Sequence, residues 1–157
     1  MIKPNAYMNI GKVVSILERE NINISNIKLV KLNRNTAANF YAEHQGKSFF
    51  TTLLDFMTSD YAVALELVGP DMIKRWRELL GPTNSLVAKQ EKPNSIRGLF
   101  GEDGTKNAAH GSDSVQSANR ELELAFGENG GFSNKAMLSN CTCCIIKNHI
   151  LREKRLG

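Results

Sequence analysis

The sequence predicts an α+β sandwich in which an antiparallel-rich sheet is covered by helices on one side. Three observations carry that class. Residues 24–32 and 61–68 are rich in aliphatic and β-branched side chains and end on polar or Gly-Pro punctuation, as strands do. Segments with apolar spacing near 3.6 lie before, between and after them. The two kinds of segment follow in the order helix, strand, two helices, strand, helix, long loop, helix.

Ile10, Val13, Val14 and Leu17 keep one face and predict a first helix of about three turns. The strand at 24–32 stops at polar Asn33 and Arg34. Asn35 or Thr36 then caps a short helix through Phe40 and Tyr41, with Gly46 as its C-terminal stop. Residues 48–57 form the next helix, carrying Phe49, Phe50, Leu53, Leu54 and Phe56. Tyr61-Ala-Val-Ala-Leu-Glu-Leu-Val68 is the clearest strand, and Gly69-Pro70-Asp71 breaks it and opens a helix ending at Leu80. Residues 83–106 show no strong period and read as a long loop, of the kind that is either functional or disordered. Asp113 or Ser114 caps a last helix to Phe126, marked by Val115, Ala118 and Leu122. Residues 127–139, with Gly130-Gly131, read as a linker. An apolar strand follows at 141–146, then a basic tail. That strand repeats the start of the chain: Ile145-Ile146-Lys147-Asn148 echoes Met1-Ile2-Lys3-Pro4.

A chain of 157 residues has room for one sizeable core and a tail. No run is long enough to cross a membrane, and the first residues lack the apolar core of a secretory signal. The net charge of +4 is mild and scattered, so it suits anionic small ligands as well as nucleic acid. Nucleic-acid recognition lacks support from aromatic RNA-binding motifs, a zinc motif or clustered carboxylates. The three cysteines, Cys141, Cys143 and Cys144, have no second pair or histidine at metal spacing, so they read as reduced strand residues.

The most telling stretch is Asn107-Ala-Ala-His110-Gly-Ser112-Asp-Ser114. It sets a histidine just before a helix start, where it can act as a nucleophile while backbone N–H groups face an incoming phosphate. Lys3, Tyr41, Arg77, Thr83, Arg97, Asn107, Ser112 and Glu121 could serve a polyphosphate, whose transfer needs positioned cations and donors. Arg77 and Arg97 offer forked donors. There is no G-x-x-x-x-G-K-[ST] cradle.

These residues fall in motifs: Ile2-Lys3-Pro4, Phe40-Tyr41 with Phe49-Phe50, Phe56-Met57-Thr58-Ser59, Leu79-Leu80-Gly81-Pro82-Thr83-Asn84, Ser95-Ile96-Arg97-Gly98 with Phe100-Gly101, and the histidine stretch with Glu121. In this order, over residues 1–126, the chain resembles the nucleoside diphosphate kinases. The spacing between Asn84 and Pro93 resembles the divergent, tandem-domain branch found with ciliary axonemes and centrosomes. Residues 140–157 then resemble the opening of a second kinase-like domain.

The resemblance implies a ferredoxin-like βαββαβ sandwich with a four-stranded antiparallel-rich sheet whose first strand is largely absent. It implies ping-pong transfer of a γ-phosphoryl group from a nucleoside triphosphate such as ATP to a diphosphate through phosphohistidine at His110. Glu121 would hold the other imidazole nitrogen and Ser112 would sit beside the transferring group. Lys3, Tyr41, Arg77, Thr83 and Arg97 would line the phosphates, and Lys3 and Asn107 would reach the ribose. Phe49 would stack on the base and Leu53 add apolar contact, which implies broad nucleotide use. Mg²⁺ would ride on the nucleotide phosphates, with no protein metal site. Homo-oligomers, a cytoplasmic, axonemal or centrosomal location and microtubule-associated partners also follow, as does the alternative of a weakly active or inactive structural module there. Three positions depart from the family pattern. Asn5 replaces an aspartate. Ser85 replaces a proline, which should loosen the phosphate loop. The first strand is cut to Met1-Ile2, which should expose the centre of the sheet.

Overall fold

The structure is a computed structural model that describes residues 1–128, 130–132 and 142. Its elements are α1 (Ile10–Arg19), β1 (Asn23–Val30), α2 (Arg34–Phe40), α3 (Phe50–Ser59), β2 (Ala62–Val68), α4 (Met72–Leu80), α5 (Ser85–Glu91), α6 (Ile96–Phe100) and α7 (Val115–Phe126). Single 3₁₀ turns occupy Tyr7–Asn9 and Ala42–His44.

β1 and β2 pair antiparallel, with Lys28 opposite Ala64 and a register irregularity between Ile24 and Asn26. Beyond β2 the sheet continues as two antiparallel bridges, Ile2 to Val63 and Ile2 to Ala109. The order β1, β2, Ile2, Ala109 fits a ferredoxin-like sheet. The centre is not laid open where the first strand is shortened. Ile2 and Val63 exchange both backbone hydrogen bonds, at 2.7 and 2.9 Å. On the other side the Lys3 N–H donates to the Ala108 carbonyl and the His110 N–H to the Met1 carbonyl, each at 2.8 Å. Ile2 is fully buried, so this short segment joins the two halves of the sheet at the level of the site.

Helices cover both faces, not one. β2 is apolar on both sides, so both must be buried. Ala62 and Ala64 pack in a core with Phe40, Leu54, Met57, Ala125 and Phe132, from α2, α3, α7 and the chain beyond. Val63 packs in a second core with Ile2, Val13, Leu17, Trp76, Leu80 and Ile96, from α1, α4 and α6.

The region 83–106 holds two helices where the sequence suggested only loop. Both are too short to show a period, and polar caps define them: Asn84 Oδ1 accepts the Leu86 N–H at 2.9 Å, and Ser95 Oγ accepts the Gly98 N–H at 3.2 Å. Ser85 does not loosen this region. Its N–H, which a proline would lack, donates to the Asp103 carbonyl at 3.2 Å. The cap of α2 is Asn33, not Asn35 or Thr36, through a reciprocal capping box with Thr36. Gly46, at φ +82°, follows the 3₁₀ turn and not the helix itself. Ser114 caps α7, accepting the Ser117 N–H at 3.1 Å. The proposed strand at 141–146 and basic tail lie outside the described residues, Thr142 apart.

Candidate active site

His110 ends the short edge segment of the sheet that starts at Asn107, four residues before the cap of α7. The approach to it is strained. Ala108 has φ +68°, a left-handed value that a non-glycine residue rarely adopts, and the Ala109 N–H closes a tight turn onto the Asn107 carbonyl at 2.8 Å. The His110 backbone is tied at both ends, since its N–H is bonded to Met1 and its carbonyl accepts the Trp76 indole N–H at 3.2 Å. The His110 N–H, bonded to the Met1 carbonyl, is therefore not free to meet a ligand.

The imidazole is held on three sides. Nε2 is 2.8 Å from Glu121 Oε2, from the second turn of α7. Phe40 and Tyr41 meet the ring edge-on at centroid distances of 5.2 and 5.6 Å. Ser112 Oγ donates to the same Glu121 oxygen at 2.7 Å. Burial pushes the His110 pKa below its ordinary value, against the pull of Glu121. Burial works the other way on Glu121, but hydrogen bonds from His110 and Ser112 hold its carboxyl below the usual range. These directions favour a neutral imidazole donating from Nε2 to a carboxylate, which leaves the Nδ1 lone pair unprotonated.

A cleft of about 480 Å³ opens beside His110. Its walls include Lys3, Tyr41, Phe49, Leu53, Arg77, Thr83, Arg97, Asn107 and Glu121, so residues scattered through the chain converge on one cleft. Ser112 does not line this cleft and reaches it only through Glu121. The cations are arranged around backbone carbonyls. Arg97 donates to Gly81 and Ala109 at 2.9 and 3.2 Å, Lys3 to Thr105 at 3.2 Å, and Arg77 to Gly111 at 3.4 Å. Burial, then the charge of Arg97, lowers the Lys3 pKa to about 7. Burial, then Arg77, lowers that of Arg97 to about 10. Cations crowded enough to depress one another make a site for an anion. Tyr41 is buried, which pushes its pKa up and keeps the phenol a proton donor; its hydroxyl lies 3.6 Å from Met57 Sδ.

Of the four buried side-chain polar atoms without a partner among the described residues, two belong to the cleft. Asn107 donates from Nδ2 to the Thr83 and Gly104 carbonyls, both at 3.0 Å, while its Oδ1 has no partner among the described residues. Arg97 Nε is likewise unpartnered. Such orphans cost free energy unless a ligand or water satisfies them. At the outer end Phe49 is 46% exposed, an aromatic face open to a flat partner.

Sequence reasoning missed four cleft residues with polar side chains: Glu43, His44, Thr105 and Asp113. The His44 ring stacks on Tyr41 at 5.9 Å and 20° and meets Phe49 at 5.6 Å. Its position three residues after Tyr41 was the available signal. Asp113 lay within the histidine motif itself. Asn5, the departure from the family aspartate, donates to the Phe100 and Lys106 carbonyls at 3.3 and 3.0 Å.

Comparison with known proteins places this arrangement. The family model described as nucleoside diphosphate kinase matches residues 1–130. The chain is 43% identical over its full length to nucleoside diphosphate kinase homolog 7 of Rattus norvegicus, but spans only 40% of that relative. It is 46% identical to the nucleoside diphosphate kinase of Actinobacillus pleuropneumoniae serotype 3, across 82% of this chain and 93% of the relative. Among solved structures, the Aquifex aeolicus nucleoside diphosphate kinase superposes with a TM-score of 0.75 at 41% identity, covering 77% of this chain and 87% of that one. The Halobacterium salinarum enzyme, solved in complex with CDP, does so with a TM-score of 0.73 at 30% identity, covering 87% and 90%. A matched family model over most of the chain, a near-complete bacterial relative and a shared fold lead to one statement: this chain belongs to the nucleoside diphosphate kinase family.

Proposed function

We propose that the chain is a nucleoside diphosphate kinase that works by ping-pong phosphoryl transfer through His110. The observation that carries this reading is the His110–Glu121 pair at 2.8 Å, set in a cleft lined by Lys3, Arg77 and Arg97. Nδ1 of the neutral imidazole attacks the γ-phosphorus as the bond to the β–γ bridging oxygen breaks, and the diphosphate leaves. The ring gains positive charge as the P–N bond forms, and the Glu121 carboxylate on Nε2–H compensates it. An incoming diphosphate reverses these steps, its terminal oxygen displacing Nδ1 from phosphorus.

Around that reaction Arg77, Arg97, Lys3 and Thr83 carry the phosphates and Tyr41 donates from its phenol. The orphan Oδ1 of Asn107 suits a ribose hydroxyl donor, with Lys3 beside it. Phe49 and Leu53 hold the base by stacking and contact alone. The solved Halobacterium relative binds CDP, which supports a nucleoside diphosphate as occupant. The cationic donors fit the nucleotide's phosphates, on which a Mg²⁺ would ride. When bound there, that ion supplies charge neutralisation at the phosphates.

We further read residues 127–139 as a connector and 140–157 as the start of a second kinase-like unit. The rat relative aligns with the whole chain, whereas the bacterial relative aligns over only 131 residues.

His110→Ala should abolish exchange of phosphate between nucleotides, and Asn107→Ala should leave measurable exchange. Exchange that survives the loss of His110 would remove the proposed mechanism.

A further inference from the structure

We propose that Arg120 is a positioning residue for phosphoryl transfer, acting through Glu121 while joining the two walls of the cleft. The inference rests on the function proposed above and concerns a side chain outside the cleft. Glu121 gives one carboxylate oxygen, Oε2, to both His110 and Ser112. Its other oxygen, Oε1, lies 3.8 Å from the Arg120 guanidinium on the preceding residue of α7. Arg120 is therefore the cation placed to fix the carboxylate's free end and keep Oε2 aimed at the histidine.

The same guanidinium reaches across to the opposite wall. Nη1 donates to the carbonyls of Asn39 and Phe40, at 3.1 and 3.3 Å, where α2 ends and Tyr41 begins. Nη2 also donates to Glu43 Oε1 at 3.2 Å. Ser117 Oγ donates to that Glu43 oxygen as well, at 3.2 Å. One planar fork thus pins the turn bearing Tyr41 and His44 to the helix bearing Glu121. Only arginine has the donors to do this at once. An exposed ion pair such as Arg120–Glu43 contributes little to stability. The effect should fall on geometry at His110 and not on folding.

The test is the single-turnover rate of phosphohistidine formation from ATP, measured for Arg120→Ala in the native background and in Glu121→Gln. With native Glu121 the rate should fall about tenfold, and with Glu121→Gln the further loss should be clearly smaller, because the part carried through Glu121 is already gone and only the hold on the Tyr41 turn remains to be lost. Arg120→Gln keeps a donor for the α2 carbonyls but no charge, and serves if Arg120→Ala fails to fold; it should show the same background dependence. Arg120→Lys should recover part of the rate. An equal loss in both backgrounds, or no loss with native Glu121, would overturn the assignment to Arg120. Absence of phosphohistidine in the unsubstituted protein would instead overturn the function on which it rests.

Discussion

Replacing Gly111 by alanine probes how tightly the fold fixes His110. A Cβ there would lie 2.6 Å from Trp76 Cδ1, 2.8 Å from Trp76 Nε1 and 2.9 Å from Leu80 Cδ1. Trp76 and Leu80 are 6% and 1% exposed, so neither can swing into solvent. Overpacking of this kind costs about 1–3 kcal/mol. Displacing the indole also stretches its bond to the His110 carbonyl, and an unsatisfied buried donor costs about 1–3 kcal/mol. Both effects stem from one movement, so about 2–4 kcal/mol in total is expected. At about 2–4 °C per kcal/mol for a chain of this size, Tm should fall by roughly 5–15 °C. Trp76 is the only tryptophan, so its fluorescence reports the displacement directly and should shift to the red. Trp76→Ala removes both clashing indole atoms and should cost less in the Gly111→Ala background than alone. An unchanged Tm together with unchanged emission would refute the packing described here.

Two further outcomes follow from the cleft's charges. Arg97→Ala should weaken ADP binding by about 2–4 kcal/mol, since it removes a partly buried fork, whereas exposed Lys106, paired with Glu102, should matter by under about 1 kcal/mol. Calorimetric titration that finds equal losses would contradict this ranking. For Lys3, the folded-state pKa of about 7 lies below the ordinary 10.5, so between these values the unfolded chain binds the extra proton and stability rises with pH. Lys3→Met should therefore stabilise most below pH 7, its advantage shrinking towards 10.5. Urea denaturation at about pH 6 and about pH 9 measures it, and an equal gain at both would count against a buried, depressed lysine.

Local signals in the sequence marked the elements that carry their own caps and periods. β2 stood out as an apolar run closed by Gly-Pro, and the start of α7 as a serine ahead of spaced apolar residues. α5 and α6 did not, because helices of seven and five residues never complete a readable period. The one-sided helical layer was misread because β2 alternates small and large apolar residues, and apolar alternation does not say which face is covered. No periodicity places Lys3 against Thr105, more than a hundred positions away, so the cleft residues were legible only through motif resemblance. What lay outside those motifs went unseen: Glu43 and Arg120 meet between the turn after α2 and α7, and His44 packs on Tyr41 and Phe49. Ser112 was read as sitting beside the transferring group, whereas its hydroxyl bonds Glu121 and does not line the cleft, a distinction that spacing alone does not carry.

The most direct measurement of the central claim is the site of labelling after brief incubation with γ-phosphate-labelled ATP. Because Glu121 occupies Nε2 of His110, the account predicts one acid-labile phosphate on Nδ1 of His110. Nuclear magnetic resonance should identify that isomer, and added ADP should discharge it as ATP. Label on Nε2, label that persists in His110→Ala, or a native protein that takes up none would contradict the account.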